Sequence, residues 1–184
     1  MGFLDFLRKE EVTGSKVLVC SLGPKFDDSL KSDTQAYKRF YPSTISRTFS
    51  TIQELTAALA QKYDIVHLLC DVSPEGAIAG VSGTEFIKTC GASDVKLLWI
   101  ASSNPSDAYI NGFNARGQKI NLVMTKDRRG PFFSPFLTDL LAKMSSGEGM
   151  PAAWNQVCQQ GASSVHPDAP EAIFFAGRGG VKLR

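Results

Sequence analysis

The sequence predicts an α/β domain of three layers, a doubly wound and mainly parallel sheet with helices on both faces. Two observations predict it. Residues 16–20, 65–70, 96–101, 120–124 and 172–177 are short apolar runs of strand length. The continuous run over 65–70 suits a strand buried on both faces, as strands of parallel sheets are. Stretches of helix length separate these runs, and that alternation calls for right-handed crossovers.

The elements follow in order. Residues 16–20 come after Gly14-Ser15 and form the first strand; residues 29–39 read as a helix. Residues 41–50 are β-branched and polar and hold a second strand. Thr51-Ile52-Gln53-Glu54 is a capping box, in which the Thr hydroxyl accepts the Glu amide and the Glu carboxylate reaches back. Ile52, Leu55 and Leu59 then line one helical face. The run over 65–70 is broken by Asp71-Val72-Ser73-Pro74-Glu75-Gly76. Ser82-Gly83-Thr84-Glu85 is a second capping box, opening a short helix with Phe86 and Ile87.

Residues 96–101 form the next central strand, and Asn104-Pro105-Ser106 leads into a helix over 107–115 closed by Gly117. Another strand covers 120–124. Ser134-Pro135 reads as an N-cap followed by proline at the first helical position, with Phe136, Leu137, Leu140, Leu141 and Met144 as the inward stripe and Gly147 as the stop. Pro151 starts a helix that carries Trp154 and Val157 and ends at Gly161. Residues 172–177 are the last strand, and Gly177-Arg178-Gly179-Gly180 reads as a flexible tail, since no helix follows to make it a phosphate cradle.

With 184 residues the chain suits one domain. We divide it into an amphipathic N-terminal segment, 1–12, and a single domain, 13–184. The net charge of +2, with Lys and Arg spread along the chain, argues against nucleic acid. Cys20, Cys70, Cys90 and Cys158 show no CxxC spacing, and there is no signal peptide, so reduced thiols in a cytoplasmic protein are expected. His67 and His166 lie far apart, so no metal is expected, and no motif asks for a cofactor. Residues 1–9 carry Phe3, Leu4, Phe6 and Leu7 among Asp5, Arg8 and Lys9. Docking on the core or on another subunit is the expectation for them, ahead of contact with a membrane surface.

In doubly wound sheets the site lies beyond the carboxyl ends of the strands. That edge falls at Cys70-Asp71, at Ala101-Ser102-Ser103-Asn104 and at Thr125-Lys126. His67, four residues before Asp71, reads as a core histidine hydrogen-bonded to a neighbour; the sharper alternative makes it a displaced base for Ser102 or Cys70.

Two families resemble this pattern. Tyr63-Asp64-Ile65-Val66, then Asp71-Val72 and Pro74-Glu75-Gly76, resembles the phosphoacceptor strand of receiver domains, whose fold is flavodoxin-like. That resemblance implies phosphorylation at Asp71, with Ser102 as the switch hydroxyl and Lys126 on the phosphoryl group. Receivers hold Mg²⁺ with acidic residues after the first strand, where this chain has Cys20-Ser21; Asp27 and Asp28 come later. The second resemblance covers more, from about Tyr63 onward, and is to the CHAT family of caspase-like domains, relatives of clan CD cysteine peptidases. Tyr63-Asp64-Ile65-Val66-His67-Leu68 resembles the strand before that family's catalytic histidine, and Lys96-Leu97-Leu98-Trp99-Ile100-Ala101-Ser102 the strand before its catalytic cysteine. Residues 133–147, Met150-Pro151-Ala152-Ala153-Trp154-Asn155-Gln156, then His166-Pro167 and 172–177 resemble its closing helices and final strand; a receiver ends at the helix near Met144 and has no counterpart for the further helix and strand.

The CHAT resemblance implies a caspase-like fold whose dyad positions fall on Asp71 and Ser102. A thiolate nucleophile needs a neighbouring imidazole, which Asp71 does not supply, and Ser102 needs a base even more. The expectation is therefore a pseudo-peptidase, not an enzyme, that binds another protein or associates with itself in a bacterial multi-protein system. A hydrolase with a rearranged nucleophile (Ser102, Ser103 or Cys70, with His67) and a receiver-like switch at Asp71 are the alternatives.

Overall fold

The computed structural model of the chain describes residues 10–102, 112–126, 133–158 and 170–184. In chain order the strands and helices are β1 (Glu10–Val12), β2 (Val17–Leu22), α1 (Asp27–Lys38), β3 (Ile45–Phe49), α2 (Ile52–Ala58), β4 (Ile65–Leu69), β5 (Ala77–Ile78), β6 (Val81–Ser82) and α3 (Gly83–Ala92). Then come β7 (Leu97–Ala101), β8 (Asn121–Lys126), α4 (Phe133–Ser145), α5 (Met150–Cys158), β9 (Glu171–Ala176) and β10 (Val181–Leu183). The apolar runs became the central sheet, in the order β3-β2-β4-β7-β8-β9. Its first five strands pair in parallel, and β9 runs antiparallel to β8. That sixth strand separates the fold from the five-stranded flavodoxin-like alternative.

Side chains alternate along the strands, so the sheet has two apolar faces. On one, Leu18, Cys20, Val66, Leu68, Leu98 and Ile100 meet α2 and α3. On the other, Val17, Val19, Ile65, Leu69, Trp99 and Val123 meet α1, α4 and α5. β2, β4 and β7 are buried on both faces, which is why they lack a polar alternation. No helix among the described residues is long and apolar enough to cross a membrane.

Several local expectations needed correction. The Thr51 hydroxyl accepts the Glu54 amide at 3.2 Å, but the Glu54 carboxylate accepts from Ser50, at 2.9 Å, and not from Thr51. α3 begins at the second capping box, yet Ser82 makes no side-chain cap. The Thr84 hydroxyl instead ties the helix start to a distant segment, donating to the Gly112 carbonyl at 3.1 Å and accepting the Asn114 amide at 2.9 Å. α4 starts at Phe133, so Ser134 lies inside the first turn. Its inward stripe is buried as expected, and Gly147, at φ +97°, closes it with the Glu148 amide on the Lys143 carbonyl at 3.2 Å.

The last residues are not a tail. Gly177-Arg178-Gly179-Gly180 turns from β9 into β10, which pairs in parallel with β1. Arg178 holds the Glu10 carboxylate through two bonds of 2.7 and 3.2 Å and Asp94 through a third of 2.8 Å. The helix expected over 107–115, the stop at Gly161, and His166-Pro167 lie wholly or mostly outside the described residues.

Candidate functional site

The strand order reverses at β2: the chain moves from β2 outward to β3 and returns to β4 on the other side. The crevice of a doubly wound sheet opens at this reversal, beyond the carboxyl ends of β2 and β4. Here Lys25, from the turn after β2, donates to the carboxylate of Asp71, the second residue after β4. Both side chains are more than half exposed, so the pair bridges the crevice in water. The next strand end is adjacent, because Leu69 pairs with Ala101 and the Cys70 amide donates to the Ala101 carbonyl at 3.2 Å. Register therefore brings Asp71 and Ser102 to neighbouring strand ends, as the sequence pattern required.

Ser102 is 2% exposed, and its amide donates to the Thr125 carbonyl at 3.4 Å. Ser103 and the Lys126 side chain lie outside the described residues. Cys70 is buried, and burial pushes its thiol up, helped by the charge of Asp71 and opposed by Lys25. Cys20 and Cys90 lie on the same face and are pushed up by burial too. Cys158, at the end of α5, is partly exposed, and desolvation still raises it. Each of the four thiols thus stays protonated at neutral pH, the unreactive form.

His67 faces away from Cys70. Ile65 and Leu69, two residues to either side, belong to the α1/α4/α5 face, whereas Cys70 belongs to the other. The imidazole has no exposed surface. Its Nδ1 lies 3.2 Å from the Tyr37 hydroxyl, and its Nε2 lies 3.4 Å from the Asp33 carboxylate, which is also fully buried. Trp99 stacks on the ring at 4.7 Å, and Tyr37 and Phe133 meet it edge-on. The Trp99 indole N–H in turn donates to the Thr125 hydroxyl at 3.2 Å. Burial, and then the charge of Asp33, push the Tyr37 phenol well above its ordinary value, so it stays a neutral hydroxyl.

Asp33 and Tyr37 were not singled out from the sequence. The available signal is their spacing: with Leu30 and Thr34 they share the inward stripe of α1, where a carboxylate is unexpected. Asp27 and Asp28 occupy the first turn of that helix, and the Asp27 carboxylate accepts the Thr48 hydroxyl at 3.4 Å. Among the described residues no three His, Cys, Asp or Glu side chains group as metal ligands would.

Comparison with solved structures finds this architecture in a crystal structure of drICE, a caspase, with a TM-score of 0.57 and 10% sequence identity, over 96% of this chain and 91% of that one. At that identity the likeness shows the fold: the chain is a caspase-like α/β domain built on a mostly parallel six-stranded sheet. No protein-family model matches the sequence, and no curated protein matches it.

Proposed function

We propose that this domain is a pseudo-peptidase of the CHAT type, without peptidase chemistry of its own, and that it works by binding another protein or a second copy of itself. His67 carries the conclusion. It is the one histidine among the described residues, and it is sealed in the core with Asp33, Tyr37 and Trp99. The strand ends at the crevice hold a lysine-paired aspartate and a covered serine. Neither can generate a nucleophile there without an imidazole within hydrogen-bond reach.

A rearranged hydrolase would need His67 to reach Ser102 or Cys70, and Cys70 is across the sheet from it. A receiver-like switch would need carboxylates beside Asp71 to hold a divalent cation; the turn after β2 supplies Lys25 instead. Binding has support at the far edge of the sheet. Among the described residues β9 has a strand neighbour only on its β8 side. Beside it lies a hollow of about 510 Å³ lined by Trp154, Cys158, Pro170 and Phe174, the last 37% exposed. An extended segment adding to this edge gains main-chain hydrogen bonds and sets a side chain in the hollow.

The test incubates the purified chain with a diverse peptide library and follows the peptides by mass spectrometry. Retention of extended apolar peptides without cleavage is expected. Cleavage that Ser102→Ala abolishes contradicts the proposal.

A further inference from the structure

At the amino ends of the strands, sharing Pro151 and Phe174 with the hollow beside β9, lies a second cavity. It measures about 370 Å³, within the range of pockets that enclose small ligands. Leu97, Leu122, Met144, Met150, Phe174 and Leu183 line it, at the amino ends of β7 and β8. Its one polar side chain is already engaged: Asn121 donates to the Gly179 carbonyl at 3.0 Å and accepts the Arg178 amide at 3.1 Å. Among the described residues a small molecule would find no free side-chain partner to orient it, so the lining suits a hydrocarbon occupant.

The chain delivers such an occupant to the rim. Gly179, Gly180 and Val181 form part of the wall. Glu10 pairs with Val181, and its amide donates to the Gly180 carbonyl at 2.9 Å. Arg178 clamps the Glu10 side chain beside it. The described chain therefore begins, at Glu10, on the cavity's edge, and the sequence just before it, Phe-Leu-Asp-Phe-Leu over 3–7, has four large apolar side chains in five positions. Position 6 is four residues from Glu10, a reach of at most about 14 Å.

We propose that this cavity is the seat of the chain's own segment 3–7, docked through Phe3, Leu4, Phe6 and Leu7. The segment then covers apolar surface that would otherwise face water, and it extends the β1/β10 closure across the amino end of the sheet.

Photo-crosslinking of the full chain tests this. A p-benzoylphenylalanine placed at position 6 abstracts hydrogen from C–H groups and favours methionine, and Met144 and Met150 both line the cavity. Irradiation should join position 6 to a peptide containing Met144 or Met150 within one chain, and added anionic phospholipid vesicles should leave the yield unchanged. Gly149 also lines the cavity, and a Cβ built there meets only the Val181 carbonyl, at 3.9 Å. Gly149→Phe should fill the space and cut the yield about tenfold, the equivalent of unseating one large apolar side chain. Three results overturn the proposal. One is a crosslink to a second copy, read from mixed isotopically light and heavy chains. Another is loss of the crosslink to vesicles. The third is crosslinks only to other parts of the surface, or none.

Discussion

The two faces of the sheet solve burial differently. The α2/α3 face is hydrocarbon and thiol: Cys20, Cys70 and Cys90 sit among Leu, Ile, Val and Phe. Burial is the main cause that keeps these thiols neutral, so none of the three adds a charge to the face. The α1/α4/α5 face buries Asp33, His67 and Thr125 beside Tyr37 and Trp99. A buried polar group is tolerated only when partnered, so this face is a network in which each member answers for the next. The contrast explains why a caspase-like sheet can hold a histidine on the strand leading to its site edge and yet, among the described residues, present none at that edge. The imidazole lies two residues before the end of β4, on the side where Asp33 and Tyr37 meet it.

The largest effect comes from breaking that network at its centre. Asp33→Ala or His67→Ala should each cost about 3 to 5 kcal/mol in urea unfolding, because each strands a buried polar partner. The double substitution Asp33→Leu with His67→Leu should cost far less than the sum of the two. Additive losses would mean the two groups do not answer to each other. Next comes Thr125→Val, which keeps the shape and orphans the Trp99 indole N–H. A loss of about 2 kcal/mol is expected, with a shift in tryptophan fluorescence.

The hydrocarbon face should respond weakly. Cys20→Ala, Cys70→Ala and Cys90→Ala should each cost about 1 kcal/mol, the scale of one buried group. All three thiols should resist iodoacetamide in the folded chain at pH 8 and react once urea is added. Prompt labelling of any one would place it outside this description.

The smallest effect is at the partly exposed Arg178 cluster, where the Glu10 and Asp94 carboxylates keep much of their water. Arg178→Gln should cost about 1 kcal/mol or less at pH 7, the range of partly exposed pairs. Arg178 holds the Glu10 and Asp94 carboxyls below their ordinary values by hydrogen bonding, with Coulombic attraction secondary. Carboxyls lowered in the folded state stabilise it above their unfolded pKa values. That contribution disappears as pH falls through the lower folded values. The difference between wild type and Arg178→Gln in chemical unfolding should therefore be full at neutral pH and shrink below about pH 4.

The sheet was legible because burial on both faces leaves a continuous apolar run, a local signal that needs no partner. The paired edge was legible too, since Asp71 and Ser102 follow directly from where the runs end. What escaped is non-local. β1 and β10 are three-residue strands of mixed polarity, Glu10-Glu11-Val12 and Val181-Lys182-Leu183, and only their pairing across the chain defines them. The direction of β9 leaves no trace in its pattern. Arg178 reads as part of a glycine-rich tail until Glu10 and Asp94 are brought to it. Asp33 escaped because a helix tolerates aspartate locally, and only His67, 34 positions on, explains one facing the core. The capping boxes divide in the same way: Thr51 keeps its local bond, while Thr84 is recruited by Gly112 and Asn114.

The central claim of the proposed function is that Ser102 and Cys70, the described hydroxyl and thiol at the sheet edge, are not activated nucleophiles. Incubation of the native chain with a fluorophosphonate and, separately, with iodoacetamide, followed by peptide mapping, tests it most directly. The account predicts no stoichiometric modification of Ser102 or Cys70 by either reagent. Stoichiometric, site-specific modification of either residue that His67→Ala removes, in a variant that remains folded, would contradict it.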